Sequence, residues 1–168
     1  MKLFKTLGLV DVPPLDRNLN LITLSLIVFT VLSSIYFYSL LPEKIPVHFD
    51  LQGNVNRYGN KSSIFLLSSI TAVLGIGLII LSNYPHTFNY HVKITDANRE
   101  KQYSLAASMM RQLNAFTTFC LVMMDLVICF LAKELFKGSS FITILAFLLM
   151  GGIVFIIANY MIKSGKYK

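Results

Sequence analysis

Four long apolar runs are the feature that most limits how this chain can fold. They cover residues 19–41, 64–84, 113–132 and 141–162. Each run approaches the roughly 20 residues that cross a bilayer as a helix. A water-soluble four-helix bundle would need a polar stripe on every helix, and "LIVFTVLSSIYFYSLL" (26–41) shows none. The runs therefore predict an all-α integral membrane protein with four transmembrane helices.

The start of the first run separates a predicted tail from a predicted membrane domain. We expect residues 1–18 to form an N-terminal tail and residues 19–168 to form the four-helix domain. Apolar residues of the tail recur at helical spacing beside two lysines, which is typical of an amphipathic surface helix; an ordinary tail is the alternative. These residues are Leu3, Phe4, Leu7 and Val10. The first run is too long for a signal peptide and no cleavage pattern follows it, so we expect it to remain as an anchor.

The basic residues predict which ends of the helices face the cytoplasm. The formal net charge is +7, and the Lys and Arg residues lie in tails and loops, so the charge does not indicate nucleic-acid binding. The two tails and the middle loop carry ten of these residues, and the other two loops carry five. Cytoplasmic segments are enriched in Lys and Arg. Both termini are therefore expected in the cytoplasm, with the 42–62 loop on the outer side.

A polar, turn-rich insert, "IPVHFDLQGNVNRYGNK" (45–61), lies between the first two runs. The alternation over residues 47–51 predicts a short extended segment, and the pairs 53–54 and 59–60, each Gly-Asn, predict turns. Such a pattern is typical of a loop with a defined fold, because a simple tether needs no turns. Its candidate ligand-binding residues are His48, Asp50 and Arg57.

Asp125 is the most conspicuous candidate inside a predicted helix. A carboxylate at the centre of a span costs about 2.5–3.5 kcal/mol on insertion scales, and such residues usually face the bundle interior. Asn114, Thr118 and Asp125 fall on one helical face. They predict a polar pocket open to the outer side, with Asp125 as its floor and His48, Asp50 or Arg57 above it. The alternative is a structural carboxyl group bonded to a hydroxyl of a neighbouring helix. The candidate hydroxyls are those of Ser33, Ser34, Ser68 and Thr71.

The sequence predicts no metal, cofactor or catalytic group. His48, Asp50 and Asp125 would supply three ligands, the minimum for a catalytic zinc, but no zinc motif accompanies them. His86 and His91 are expected on the opposite side of the membrane. The chain contains no phosphate-binding loop, nucleophile elbow or Cys-x-x-Cys motif. We therefore expect a protein that is not an enzyme.

The third helix is predicted to continue beyond the membrane. "ANREKQYSLAASMMRQL" (97–113) is helical in composition and reaches the third apolar run without a helix breaker. One helix is therefore expected to extend several turns into the cytoplasm. The basic residues at this level suit anionic lipid headgroups. They are Arg99, Lys101, Arg111, Lys163, Lys166 and Lys168.

The loop motif resembles that of a known family. "LPEKIPVHFDLQGNVNRYGNK" is similar to the signature of a bacterial membrane domain of unknown function, which also forms the N-terminal part of SdpI-type immunity proteins. The likeness covers about residues 24–71, and the residues that carry it are Ile45, Pro46, His48, Phe49, Gly53, Arg57, Gly59 and Lys61. The resemblance implies a bacterial inner-membrane protein and adds Lys61 to the candidate site. It also implies a role like that of SdpI-type proteins, which protect their host from a secreted peptide toxin.

Three functions are compatible with these patterns. The first is a non-enzymatic binding, sensing or immunity protein that recognises an envelope ligand or peptide through the 42–62 loop. The second is a structural subunit of a larger membrane complex, and the third is an enzyme or transporter that uses Asp125 and His48. Expected partners are membrane lipids, the envelope ligand, and a membrane protein or a second copy of the chain. No cofactor and no nucleic acid is expected.

Overall fold

The computed structural model describes residues 14–135 and 140–167 of the chain. Its elements are α1 (Pro14–Tyr38), β1 (Lys44–Phe49), β2 (Val55–Asn60), α2 (Ser63–Leu81), a 3-10 turn (Pro85–Thr87), α3 (Arg99–Ala132) and α4 (Ser140–Gly165). All four of these α-helices are long and apolar enough to cross a membrane. The prediction of four helices long and apolar enough to span a membrane is confirmed.

The structure differs from the sequence-based expectation in two places. α1 begins at Pro14, within the predicted tail, because proline is tolerated in the first helical turn, where its missing N–H has no partner to lose. The predicted amphipathic helix of the tail falls on residues outside the described part of the chain. The second difference lies in the 42–62 loop, where β1 and β2 form an antiparallel sheet. The chain is therefore mostly helical and not all-α.

α3 is the central helix of the bundle. It packs against α1, α2 and α4, whereas α4 packs mainly on α3. The buried share of the most apolar stretch is 39% in α3 but 6% in α4. Gly152 allows α4 to approach α3 closely, since a Cβ atom there would lie 2.2 Å from the Phe116 ring. The bundle thus consists of three mutually packed helices with α4 added on one side of α3.

Buried polar side chains connect the helices at the far end of the bundle, the end opposite to the sheet. Arg111 Nη1 lies 3.1 Å from Asp16 Oδ2, and Arg111 Nη2 donates to Asn83 Oδ1 over 3.1 Å. Ser108 Oγ donates to the other oxygen of Asp16 over 3.0 Å. These contacts join α1, α3 and the segment after α2. The predicted contact between Arg111 and lipid headgroups is therefore wrong, because this side chain lies inside the bundle.

A second set of buried hydrogen bonds connects α3 with the end of α4. Gln102 Nε2 donates to the backbone oxygens of Ser164 and Tyr167, each over 2.9 Å. Ser164 Oγ in turn donates to Gln102 Oε1 over 2.5 Å. The predicted extension of the third helix is thus part of one continuous helix, Arg99–Ala132. The first turn of α3, which contains Gln102, packs against the end of α4.

Candidate functional site

The 42–62 loop folds into an antiparallel hairpin formed by β1, β2 and the turn between them. Lys44 pairs with Asn60 at its base, and Phe49 pairs with Val55 at its tip. The pairing register shifts on both sides of His48. Ile45 and Pro46, two consecutive residues of β1, are both buried, and Val47 is partly buried.

Asp50 holds the turn of the hairpin. Its Oδ1 atom accepts hydrogen bonds from the backbone N–H groups of Gln52 (3.0 Å) and Asn54 (2.7 Å), and its Oδ2 atom accepts one from Asn54 Nδ2 (3.1 Å). The side-chain bond from Asn54 is the main reason why the pKa of Asp50 is lowered. Gly53 has a φ of 86°, which glycine adopts without strain. The Asp50 carboxylate is therefore occupied within the hairpin.

Lys61 closes the base of the hairpin. Its Nζ atom lies 2.9 Å from Glu43 Oε1 and 5.1 Å from the centre of the Tyr38 ring. The hydrogen bond with Glu43 is the main reason why the pKa of Lys61 is raised. His48 is exposed, and its Nδ1 atom lies 2.6 Å from Asn56 Oδ1. Three of the four loop candidates (His48, Asp50 and Lys61) thus have partners within the hairpin or at its base.

An apolar cluster attaches the hairpin to the helices. Ile45 of β1 is 1% exposed and packs with Leu41, Ile64 and Cys129. These partners belong to the segment after α1, to α2 and to α3. Complete burial of an aliphatic side chain contributes about 1.5–3 kcal/mol. Ile45 therefore fixes the hairpin over one end of the bundle.

Beneath the hairpin lies a cavity of about 390 Å³. The hairpin forms its roof, while α2, α3 and the first turn of α4 form its walls. The lining residues are apolar apart from Arg57, Ser63 and Asp125. The structure therefore brings Arg57 and Asp125 to one cavity, whereas His48 and Asp50 do not line it. The cavity is also mainly apolar, in contrast to the polar pocket that the sequence predicted.

Asp125 uses one carboxylate oxygen to contact α1. Oδ2 accepts hydrogen bonds from Thr30 Oγ1 (3.1 Å) and Ser34 Oγ (3.2 Å). Oδ1 is buried and has no hydrogen-bond partner in the described part of the chain. Ser34 is one of the predicted partners, and Thr30 is a partner that the sequence did not indicate. The other predicted hydroxyls donate to carbonyl groups of their own helices; they are those of Ser33, Ser68 and Thr71. A buried oxygen without a partner costs about 1–3 kcal/mol, and no described residue offsets this cost for Oδ1.

Asn114 and Thr118 share a face of α3 with Asp125 but do not line the cavity. Asn114 Nδ2 donates to the backbone oxygen of Gly75 in α2 over 2.9 Å. Thr118 Oγ1 donates to Asn114 Oδ1 over 3.4 Å. These two residues therefore hold α3 against α2, and Asp125 is the member of the predicted stripe that reaches the cavity.

The histidines lie in separate parts of the molecule. His48 is on the hairpin, while the rings of His86 and His91 pack edge-to-face on Tyr84 and Tyr160. Among residues 14–135 and 140–167, no group of three or more His, Cys, Asp or Glu side chains could hold a metal ion. The three potential ligands His48, Asp50 and Asp125 are thus not brought together.

The hairpin, the second half of α1 and the first half of α2 form the part of the chain that matches a known domain. Residues 25–72 match Domain of unknown function (DUF1648). This match covers under a third of the chain and contains the hairpin with Arg57, but not Asp125. The predicted likeness of residues 24–71 to a domain of unknown function is confirmed. No curated protein and no solved structure matches the chain.

Proposed function

We propose that the chain is a non-enzymatic, multi-pass protein of the bacterial inner membrane that binds a ligand beneath its 42–62 loop. The observation that carries this proposal is the mainly apolar cavity beneath the hairpin, whose lining includes the two ionisable residues Arg57 and Asp125. The cavity volume of about 390 Å³ falls within the roughly 300–1,000 Å³ of small-molecule pockets. Arg57 in the roof adds a cation to the same cavity.

The proposed site faces the outer side of the membrane. Arg111 is buried in the bundle and no longer counts as a loop residue. The tails and the middle loop then hold nine Lys and Arg residues, against five in the two other loops. The excess of positive charge still favours cytoplasmic termini. The hairpin then lies outside, and the far end of the bundle lies in the cytoplasm.

A cysteine at the tip of the hairpin tests this orientation. Leu51 is 86% exposed, whereas the two native cysteines, Cys120 and Cys129, are buried. A membrane-impermeant maleimide is expected to label the Leu51→Cys variant in intact cells as completely as after lysis. The unsubstituted chain gives the background from the native cysteines. Labelling that requires lysis would place the hairpin in the cytoplasm and contradict the proposal.

Sensing is the role that we propose for the ligand-bound state. α3 carries Asp125, which lines the cavity. Toward the far end of the bundle, the same helix carries Arg111, which pairs with Asp16, and Gln102, which bonds to the end of α4. One helix therefore connects the cavity with the far end. A ligand that shifts α3 therefore also changes the far end of the bundle. Immunity of the SdpI type is one instance of such binding, and its support is the resemblance of the loop motif.

A structural subunit of a larger membrane complex is the second candidate function. The apolar stretch of α4 is only 6% buried, so this helix offers a face to another membrane helix or to a second copy of the chain. A stable, stoichiometric membrane protein that copurifies in mild detergent would favour the subunit over the ligand-binding protein.

Two matched tryptophan substitutions test for a bound ligand. Ile70 and Ile76 both lie on α2 and are similarly exposed (43% and 46%), but only Ile70 lines the cavity. Because added bulk in a packed site costs about 1–3 kcal/mol, Ile70→Trp is expected to lower the amount of a copurifying small molecule about five-fold or more. Ile76→Trp is expected to retain it. Mass spectrometry of organic extracts of the purified chain measures the amount.

Equal amounts of the molecule in both tryptophan variants would place it outside the cavity and contradict the proposed site. A wild-type chain that carries no copurifying molecule would contradict the proposed binding function. The thermal unfolding midpoints of both variants, measured in the same detergent, show whether either substitution has acted by disrupting the fold.

A further inference from the structure

The cavity beneath the hairpin lies in a gap between α2 and α4. α2 packs on α1 and α3, whereas α4 packs mainly on α3, so α2 and α4 stand beside α3 without packing closely on each other. The base of the hairpin joins the start of α2, and at its tip Thr143 Oγ1 of α4 donates to the backbone oxygen of Leu51 over 3.4 Å. Leu67 of α2 and Ile142 of α4 both line the space below. The hairpin therefore roofs a gap between two membrane-spanning helices.

The cavity opens sideways into the bilayer. Leu66 and Ile70 line it, although they are 65% and 43% exposed. Apolar side chains that are exposed on a membrane span face lipid, so the rim that these two residues form faces the hydrocarbon region. Ile70 lies seven residues after Ser63, the first residue of α2, which is about 10 Å along the helix. The cavity is therefore continuous with the part of the bilayer that holds lipid tails.

The walls of the cavity suit a hydrocarbon chain. They are formed largely by flexible aliphatic side chains, among them Leu67, Met124 and Ile128. At about 30 Å³ for each water-sized group, the cavity of about 390 Å³ holds roughly thirteen such groups. This volume accommodates a segment of an acyl tail, and the side opening allows the rest of the molecule to remain in the bilayer.

Arg57 supplies a positive charge at the roof of the cavity. Its side chain lines the cavity and is also exposed. It makes no ion pair or hydrogen bond with any other described residue, whereas Lys61 of the same hairpin base pairs with Glu43. A guanidinium group presents N–H donors in a geometry that matches a phosphate. Because the hairpin joins the ends of two membrane spans, this charge lies at the level of the lipid head groups.

The other polar residues of the lining do not oppose an anion beside Arg57. Ser63 Oγ lies next to β2, since a Cβ atom at Gly59 would be 3.5 Å from it, and a serine hydroxyl can donate a hydrogen bond. Asp125 is 2% exposed, and its Oδ2 atom accepts bonds from two hydroxyls of α1. Its carboxyl group is therefore enclosed in the bundle, and the charge presented at the roof is that of Arg57.

We propose that the cavity takes up one acyl tail of an anionic phospholipid from the surrounding bilayer, an inference that rests on the ligand-binding function proposed above. The tail lies beneath the hairpin between α2 and α4, and the phosphate contacts Arg57. The second tail remains in the bilayer beyond the rim of Leu66 and Ile70. A zwitterionic phospholipid offers the same tails but carries a cationic group near its phosphate. Arg57 therefore favours the anionic head group.

Tryptophan fluorescence tests whether a lipid tail lies in the cavity, because the chain contains no tryptophan of its own. Phe49→Trp places a reporter in the cavity lining with little added bulk, and Tyr36→Trp places one on α1 at a residue that is 64% exposed and does not line the cavity. Each variant of the full chain is reconstituted in phosphatidylcholine. Phosphatidylglycerol or phosphatidylcholine with brominated tails, which quench tryptophan on contact, is then titrated in.

The two reporters are expected to respond differently to the head group. In Phe49→Trp, brominated phosphatidylglycerol is expected to bind about five-fold more tightly than brominated phosphatidylcholine, because its phosphate pairs with Arg57. In Tyr36→Trp, which reports on the general lipid around the bundle, the two lipids are expected to differ by no more than about two-fold. Quenching of Tyr36→Trp alone would show that no tail enters the cavity. That result, or equal binding of both lipids in Phe49→Trp, would overturn the proposal.

A matched pair of charge substitutions tests the role of Arg57. In the Phe49→Trp background, Arg57→Gln is expected to remove the preference for phosphatidylglycerol, because it removes the contact to phosphate. Lys44→Gln removes an exposed cation of the same hairpin that does not line the cavity, and the preference is expected to stay within about two-fold of its original value. Equal losses in the two variants would reduce the effect to general charge attraction and overturn the proposal.

Lipid analysis of the purified chain gives a measurement that needs no tryptophan variant. After purification in mild detergent, the wild type and Lys44→Gln are expected to retain similar amounts of anionic phospholipid. Arg57→Gln is expected to retain about five-fold less. Equal amounts in all three chains would show that Arg57 does not hold the lipid and would overturn the proposal.

The outcomes separate the ligand class from the binding function. If the molecule that Ile70→Trp expels is a peptide or a neutral lipid, the cavity still binds a ligand, and the anionic phospholipid is wrong. If no molecule copurifies and neither brominated lipid quenches Phe49→Trp, both proposals fall. Quenching of Phe49→Trp with the expected dependence on the head group and on Arg57 supports both.

Discussion

Replacing Arg111 with methionine is expected to lower the free energy of unfolding by about 3–5 kcal/mol. Arg111 and Asp16 are 0% and 3% exposed, and their charged atoms lie 3.1 Å apart. The substitution leaves the Asp16 carboxylate buried without its countercharge, and Asn83 also loses its donor. Reversible unfolding of the purified chain in mixed detergent micelles, followed by circular dichroism, measures the change.

An exposed ion pair of the same helix provides the control for Arg111. Arg99 lies 2.6 Å from Asp96, but the two side chains are 54% and 91% exposed. Exposed pairs contribute about 0–1 kcal/mol, so Arg99→Met is expected to have a correspondingly small effect. Removing both buried charges, with Arg111→Met and Asp16→Leu together, is expected to restore most of the lost stability. Equal losses for Arg99→Met and Arg111→Met would show that the far-end ion pair does not hold the helices together.

The helices could be predicted because a bilayer requires one long apolar run for each span. The continuation of α3 could be predicted as well, since residues 97–132 contain neither Gly nor Pro. The second strand could not be predicted from its own residues. β2 (Val55–Asn60) has the sequence VNRYGN, which lacks an alternating apolar pattern and is mostly exposed. Its structure depends on pairing with β1, whose buried residues pack on the helices.

The partners of Asp125 show why a site is harder to predict than a helix. Thr23, Thr30 and Ser34 are seven and four residues apart, so they share one face of α1. A helical hydroxyl can also bond to the carbonyl group four residues earlier, as Thr23 does with Leu19 over 3.0 Å. Spacing alone therefore does not reveal which hydroxyl meets a carboxylate. That depends on the relative heights of α1 and α3 in the bundle.

The same limit explains the wrong prediction for Arg111. A basic residue at the end of an apolar run is normally expected to extend its side chain toward the headgroups. Asp16, its partner, lies 95 residues earlier in the chain, and no local pattern connects the two. Arg57 was predicted as a site residue because the loop motif contains it, but the motif does not show that the hairpin brings Arg57 to the same cavity as Asp125.

Shortening Ile45 to alanine is expected to cost about 2–5 kcal/mol of the free energy that docks the hairpin on the bundle. Ile45 is 1% exposed and packs between Leu41, Ile64 and Cys129, so its removal leaves a void among three separate segments. Leu51→Ala is the matched control, because Leu51 is an aliphatic residue of the same hairpin that is 86% exposed. Its effect is expected to stay within about 0.5 kcal/mol. Hydrogen exchange of residues 44–60, compared with that of α3, measures both changes.

The docking of the hairpin and the binding of a ligand are expected to be lost together. Ile45 lines the cavity and holds the strand that pairs with Arg57, so an undocked hairpin removes the roof while the four helices remain. Ile45→Ala should therefore lose the copurifying molecule without losing helical circular dichroism, whereas Leu51→Ala should keep both. Unchanged exchange of residues 44–60 in Ile45→Ala would show that contacts other than the apolar cluster around Ile45 hold the hairpin on the bundle.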